Sequence, residues 1–175
     1  MKKRNTLLLL LSMFTISAFE QENSDKIRDW SQYKITQKWA DSVDTNKGFI
    51  YDERNPVMTF CFKDPRGNKA YADFKCQIKT FGLGINLSLN QYFAKFSGAK
   101  FSLKEAYENP IKIQSGAFMC FSLLGLAGID CHVANLKNNV GTFILSGPTF
   151  GISIGFGFIF GGKISMVGAP TFEDK

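Results

Sequence analysis

The sequence holds a single histidine, His132, among 175 residues, and it has no closely spaced pair of cysteines. These two shortages remove the usual zinc ligand sets, which draw Cys and His in pairs a few residues apart. They leave no nucleophilic Cys–His pair either. His132 directly follows Cys131, and neighbouring residues on a strand point to opposite faces. A haem attachment motif would need a cysteine at position 128, where glycine stands. No arginine-rich patch offers a footprint for nucleic acid. No glycine-rich stretch ends in the Lys-Ser/Thr that a phosphate cradle requires. The acidic residues lie in polar segments (Asp41, Asp44, Asp52, Glu53; Glu105, Glu108), and no two of them stand out as a glycosidase pair. The expectation is therefore a non-enzymatic protein without a catalytic constellation, a metal or a cofactor, with an enzyme of unidentified site as the last alternative.

Charge is missing from one long stretch. Val140 to Gly162 is a run of 23 residues with no charged side chain. Its length would carry a helix across a bilayer, and Gly147, Gly151 and Gly155 recur at the spacing that lets such helices approach closely. Seven glycines and a proline argue against a helix. From Phe150 the run alternates: Phe150, Ile152, Ile154, Phe156, Phe158 and Phe160 share one face. Gly151, Ser153, Gly155, Gly157, Ile159 and Gly161 share the other. A period of two held over this length predicts a strand. The bulky face is expected to be core or to line a pocket for an apolar ligand.

What the chain has in abundance agrees. Its 18 phenylalanines and 16 glycines favour sheet over helix. At the N-terminus Lys2, Lys3 and Arg4 precede an apolar core over Thr6–Phe14, then small residues with a cut after Ala18 or shortly beyond, as in a secretory signal peptide. Without those three basic residues the formal charge falls from +6 to about +3, too weak to indicate nucleic acid. No cysteine sits just after the apolar core, which argues against a lipoprotein.

All four cysteines, Cys61, Cys76, Cys120 and Cys131, lie beyond the leader. An even count in an exported chain predicts two disulfides. Three connectivities are possible. Cys61–Cys76 and Cys120–Cys131 are favoured because each pair flanks a turn-rich segment. The midpoint of the second pair falls on Gly125-Leu126, so the two would face each other across a hairpin.

Along the chain, residues 1–18 read as leader and 19–55 as a polar segment. Residues 56–170 form a Gly/Phe-rich β domain, and 171–175 a tail. Asp25–Val43 fits an amphipathic helix and a strand equally. Strands are expected at Val57–Lys63, Ala70–Thr80, Phe81–Asn90, Ile111–Gln114, Ala117–Leu124, Ile129–Ala134, Val140–Ser146, Thr149–Phe160 and Lys163–Val167. Asp64-Pro65-Arg66-Gly67 has the preferences of a type I turn, and Gly161-Gly162 would join the last two strands. Ser102-Leu103-Lys104-Glu105 has the form of a capping box opening a short helix that ends before Pro110. A weak echo links Thr80–Ile85 (TFGLGI) to Thr149–Ile154 (TFGISI), each downstream of two cysteine-bearing strands.

The segment Gly147–Phe158 (GPTFGISIGFGF) resembles the glycine-rich strands of small bacterial envelope β-domains, lipid-binding ones among them. The pattern spans a dozen residues and implies no family and no site. Together these readings predict a mainly β chain behind a cleaved signal peptide: a small antiparallel barrel or sandwich with one or two short helices. Export to the periplasm or the medium is expected, with a lipid-like ligand, an envelope protein or a membrane surface as partner and no nucleic acid. The alternative is a small integral outer-membrane barrel, with small residues inside and the apolar face in lipid. Lys63, Lys75, Lys79, Lys95, Lys112 and His132 interrupt the other strands and count against it.

Overall fold

The computed structural model describes residues 28–36, 39–44, 56–123 and 126–173. The chain divides into Met1–Trp30 and Ser31–Lys175. The leader expected over residues 1–18 lies outside the described residues.

The second unit contains β1 (Lys34–Ile35), β2 (Ser42–Asp44), β3 (Val57–Lys63), β4 (Lys69–Asn90) and β5 (Phe93–Ser97). A short helix α1 (Leu103–Glu108) follows, then β6 (Ile111–Ser122), β7 (Ala127–Leu136) and β8 (Thr142–Glu173). The described residues are mainly β, with 72% of them in strands, and their antiparallel sheet curls into a half-barrel. Of the described residues in Asp25–Val43, only Lys34–Ile35 (β1) and Ser42–Val43 (the start of β2) are in strands, and none is helical.

Strand β8 organises the sheet. Its first part pairs with β7 (Asn135↔Thr142 to Ala127↔Phe150) and its second with β6 (Ser122↔Ser153 to Ile111↔Ile164). Because β6 and β7 are themselves antiparallel, β8 has to turn over the tip of their hairpin between these pairings. Gly151, at φ 131°, lies at that turn, in a region that favours glycine. On its other edge β8 meets β5 and then β4. The charge-free run is thus a paired strand flanked on both sides.

Three expected strands, Val140–Ser146, Thr149–Phe160 and Lys163–Val167, are in fact one. Gly161-Gly162 is not a hairpin turn. Both residues have positive φ (157° and 148°) and stay in the strand, next to a register shift against β4 between Lys79 and Thr80. At the same level β6 shifts against β7 between Ile113 and Ser115. These irregularities are bulges, where one extra residue re-aims the side chains that follow. They divide the sheet into a proximal half, on the β3 side, and a distal half reaching towards the hairpin tip.

The proximal half holds the aromatic core. Phe60, Phe62, Phe74, Phe96 and Phe143 are fully buried, with Met58, Leu103, Ile113, Leu136, Ile159 and Ile164 around them. Phe96 lies at the hub, with ring centroids 4.7 Å from Phe60, 5.2 Å from Phe101 and 5.3 Å from Phe143. Burying each phenylalanine is worth about 1.5–3 kcal/mol. Strand β5, which brings Phe96 in, was not foreseen from the sequence. Helix α1 closes this end with the expected capping box: Ser102 accepts from the Glu105 N–H, and Glu105 accepts from the Ser102 N–H. The Asp64–Gly67 turn also forms, with the Gly67 N–H donating to the Asp64 carbonyl.

The expected disulfides do not form; all four cysteines are free thiols. Register explains both cases. Cys61 stands opposite Tyr71, while Cys76 lies one place beyond the Val57↔Lys75 pair. That is five residues along the strand, about 17 Å, and on the other face, against a Cα separation limit of about 7 Å. In the second hairpin Cys120 pairs with Asp130 and Cys131 with Met119. The hairpin centres on position 125 instead of between 125 and 126, and one residue of offset puts the two thiols on opposite faces.

The two echo segments are strands, and they are partners: Thr80–Asn90 pairs with Ile159–Thr149. Their surroundings differ in topology. Cys76 and Thr80 share β4, whereas Cys131 and Thr149 lie on separate strands.

Candidate functional site: an outward apolar face edged by lysine

The distal half is built inside out. Along β4 and β8 its inner face is mostly glycine and small polar residues, because these two strands approach too closely there for larger side chains. Gly82 opposes Gly157 and Gly84 opposes Gly155 across β4 and β8. A Cβ on Gly84 would lie 2.6 Å from the Gly155 Cα, and one on Gly82 would lie 2.7 Å from the Phe118 ring. Phe118, from β6, occupies the space over these glycines and stacks on His132 at 5.5 Å. Nearby, the Tyr92 hydroxyl donates to the Asp130 carboxylate at 2.8 Å, and Asp130 lies 3.0 Å from His132 Nε2. Ser122 donates to the Gly151 carbonyl. Asp130, Ser122, Ser153 and Thr149 are all buried.

The bulky side chains point the other way. Phe150, Ile152, Ile154, Phe156, Phe158 and Phe160 are between 43% and 70% exposed. This corrects the expectation that they form core, for the physical reason just given: the glycines of the same strand take the inside. Neighbouring strands extend the face. Phe81, Leu83 and Ile85 stand opposite Phe158, Phe156 and Ile154 on β4, and Met119 and Phe121 oppose Phe156 and Ile154 on β6. Leu123, Leu126, Ile129 and Val133 continue it around the hairpin, all exposed. Contiguous exposed apolar surface on this scale marks an interaction site.

The lysines that interrupted the strands in sequence do not interrupt this face. Lys75 pairs at Ser165, Lys79 at Gly161 and Lys112 at Lys163, all at or below the bulges. Lys63 lies lower still, opposite Lys69. His132 belongs to the inner face. Lys95 lies on β5 with its ammonium 4.9 Å from the Trp39 ring centroid, and Trp39 is half exposed.

At the bulges, Lys79, Lys112, Lys137 and Lys163 line one open recess of about 1070 Å³, together with Gln77, Ile78, Pro110 and Phe160 among others. Reading the sequence strand by strand missed this grouping. A signal was present: residues 80–94, 113–129 and 138–162 are free of charge, and lysines flank them at 79 and 95, at 112, and at 137 and 163. Cys76 is buried, and burial pushes its thiol up to about 12. Cys61 is raised by burial, with Asp41 adding to the effect. Among the described residues no group of three or more His, Cys, Asp or Glu is placed to hold a metal ion, and no helix is long and apolar enough to cross a membrane.

No protein-family model matches this chain, and no curated protein or solved structure matches it. Its own geometry defines the class: a β half-barrel with an aromatic core in its proximal half and, in its distal half, an apolar outer face over an inner face of mostly glycine and small polar side chains around Phe118 and His132.

Proposed function

We propose that this protein is a membrane-inserting β-domain whose distal half seats its outer face in the hydrocarbon of a lipid bilayer. The observation that carries the reading is the outward direction of the Phe150–Phe160 face together with its small, polar counterpart inside, the alternation of strands that cross membranes. Its dimensions fit. Beyond the turn at Gly151, Ile152 to Phe160 spans about 26 Å along the strand, and at a barrel-like tilt that becomes about 20 Å, close to the roughly 25 Å of a membrane-barrel apolar band. Lysines stand where the band ends, and the Trp39–Lys95 pair has the amphipathic character favoured at a bilayer interface.

An integral barrel fits this geometry better than a soluble ligand-binder does. A ligand pocket would need the phenylalanine face turned inward, and it is turned out. The edge of β4 beyond Lys75, unpaired among the described residues, is what hydrocarbon tolerates least, so insertion is expected to go with pairing of that edge to another strand. Placement in a cell-envelope membrane rests on the leader reading of residues 1–18.

Flotation of the full chain with phosphatidylcholine vesicles tests the reading. The wild-type protein should float with the vesicles. Phe156→Asn/Phe158→Asn should lower partitioning at least tenfold, since each phenylalanine contributes about 1.5–3 kcal/mol when buried. Both residues are exposed, so the circular-dichroism strand signal should survive the change. A wild-type protein that stays in the aqueous fraction as a defined dimer would assign the face to a second copy. One released with a single bound lipid-like molecule would assign it to a ligand. Either result overturns the membrane reading.

A further inference from the structure

We infer that the recess lined by Lys79, Lys112, Lys137 and Lys163 is a binding site for the phosphate of an anionic lipid headgroup. The inference rests on the membrane reading, which places this recess at the level where headgroups lie. Four strand and turn segments converge on it: Lys79 comes from β4, Lys112 from β6, Lys137 from the turn after β7, and Lys163 from β8. Lys112 and Lys163 stand directly opposite each other in the ladder. Like charges in that relation destabilise a sheet, so the fold bears a cost that an anion between them would remove. Among the described residues no acidic side chain lines the recess. Among the described residues none of the four lysines has a carboxylate within ion-pair distance.

The chemistry of the rim selects the kind of anion. Ile78 and Phe160 border the lysines, and Phe160 is the last residue of the outward apolar face. A ligand held here has its charge against ammonium groups and an apolar part running onto that face, which describes an anionic phospholipid better than free phosphate. The breadth of the recess suits a headgroup. Lysine serves such a site as a point charge that needs no fixed fork geometry. Each lysine near an anionic surface contributes about a fivefold increase in binding.

The test compares vesicles of pure phosphatidylcholine with vesicles containing phosphatidylglycerol, using the full chain. Wild-type protein should prefer phosphatidylglycerol. Lys112→Gln/Lys163→Gln should lose about thirtyfold of that preference while binding phosphatidylcholine unchanged. A Lys100→Gln/Lys104→Gln control, equal in charge and outside the recess, should lose far less. The recess variant should unfold at the same temperature as wild type or higher, because it relieves the Lys112–Lys163 repulsion. Equal losses in both variants would reduce the effect to diffuse charge and overturn the site. Retention of the preference in the recess variant would overturn it too. Saturable binding of inorganic phosphate in the recess without vesicles, with no phosphatidylglycerol preference, would replace the lipid with a soluble phosphate. If the wild type binds neither vesicle, the membrane reading itself falls. If it binds both equally, only the headgroup site does.

Discussion

Tyr92 and Asp130, 38 residues apart, meet inside the distal half through a 2.8 Å hydrogen bond between two buried side chains. Asp130 lies beside His132, which stacks on Phe118, so one polar contact ties the β4–β5 connection to the β6–β7 hairpin. A carboxylate in such surroundings depends on its donors, because leaving it short of one costs the full desolvation penalty.

Tyr92→Phe is therefore expected to destabilise the protein by about 1–3 kcal/mol, with little change in vesicle binding, since the contact lies on the inner face. Denaturant titration beside flotation checks it. Loss of flotation without loss of stability would place Tyr92 in the lipid contact instead.

The free cysteines give a second expectation. Without reductant, denatured protein should take up alkylating reagent at all four thiols. In the native state Cys131, the one only partly buried, should react first. Cys76 should be among the slowest, because it is buried and its thiol is pushed up to about 12, leaving little thiolate. Mass spectrometry after timed alkylation reads the order. An unalkylated pair in the denatured sample would restore a disulfide and require a shifted strand register.

The capping box supplies the third, through pH. Backbone and side-chain hydrogen bonds from Ser102 hold the Glu105 carboxyl below the usual glutamate range. A depressed carboxyl contributes stability above its unfolded value, near 4.5, and that contribution is lost as pH falls through the folded value. Glu105→Gln should thus be less stable than wild type at neutral pH, with the difference closing in acid. Ser102→Ala should cost about 1 kcal/mol. Unfolding curves at several pH values would show this, and a gap that stays constant into acid would mean the carboxylate does not act through its charge.

Much of the architecture was legible in sequence because it rests on local rules. Ser102 and Glu105 are neighbours on a helical turn. Asp64–Gly67 encodes its turn through the preferences of those four residues. The alternation from Phe150 onward determined a strand in place of a membrane helix. The limits of each strand were less legible, because Gly161-Gly162 reads locally as a turn and becomes a bulge only when β4 and β6 hold β8 on both sides.

Period two by itself determined that Phe150 through Phe160 share a face and that glycines hold the other. It did not determine which face turns inward, because that depends on what the neighbouring strands bring. Only the tertiary structure decided it: β4 sets Gly82 and Gly84 against Gly157 and Gly155, β6 lays Phe118 over them, and the space left inside admits no further phenylalanine. The same pairings set Cys120 one residue out of register with Cys131. They also gathered four lysines, spread over 85 residues of sequence, at one edge of the apolar face. Local alternation fixes a side chain's neighbours along its own strand. The direction it faces is settled by packing between strands that are distant in sequence.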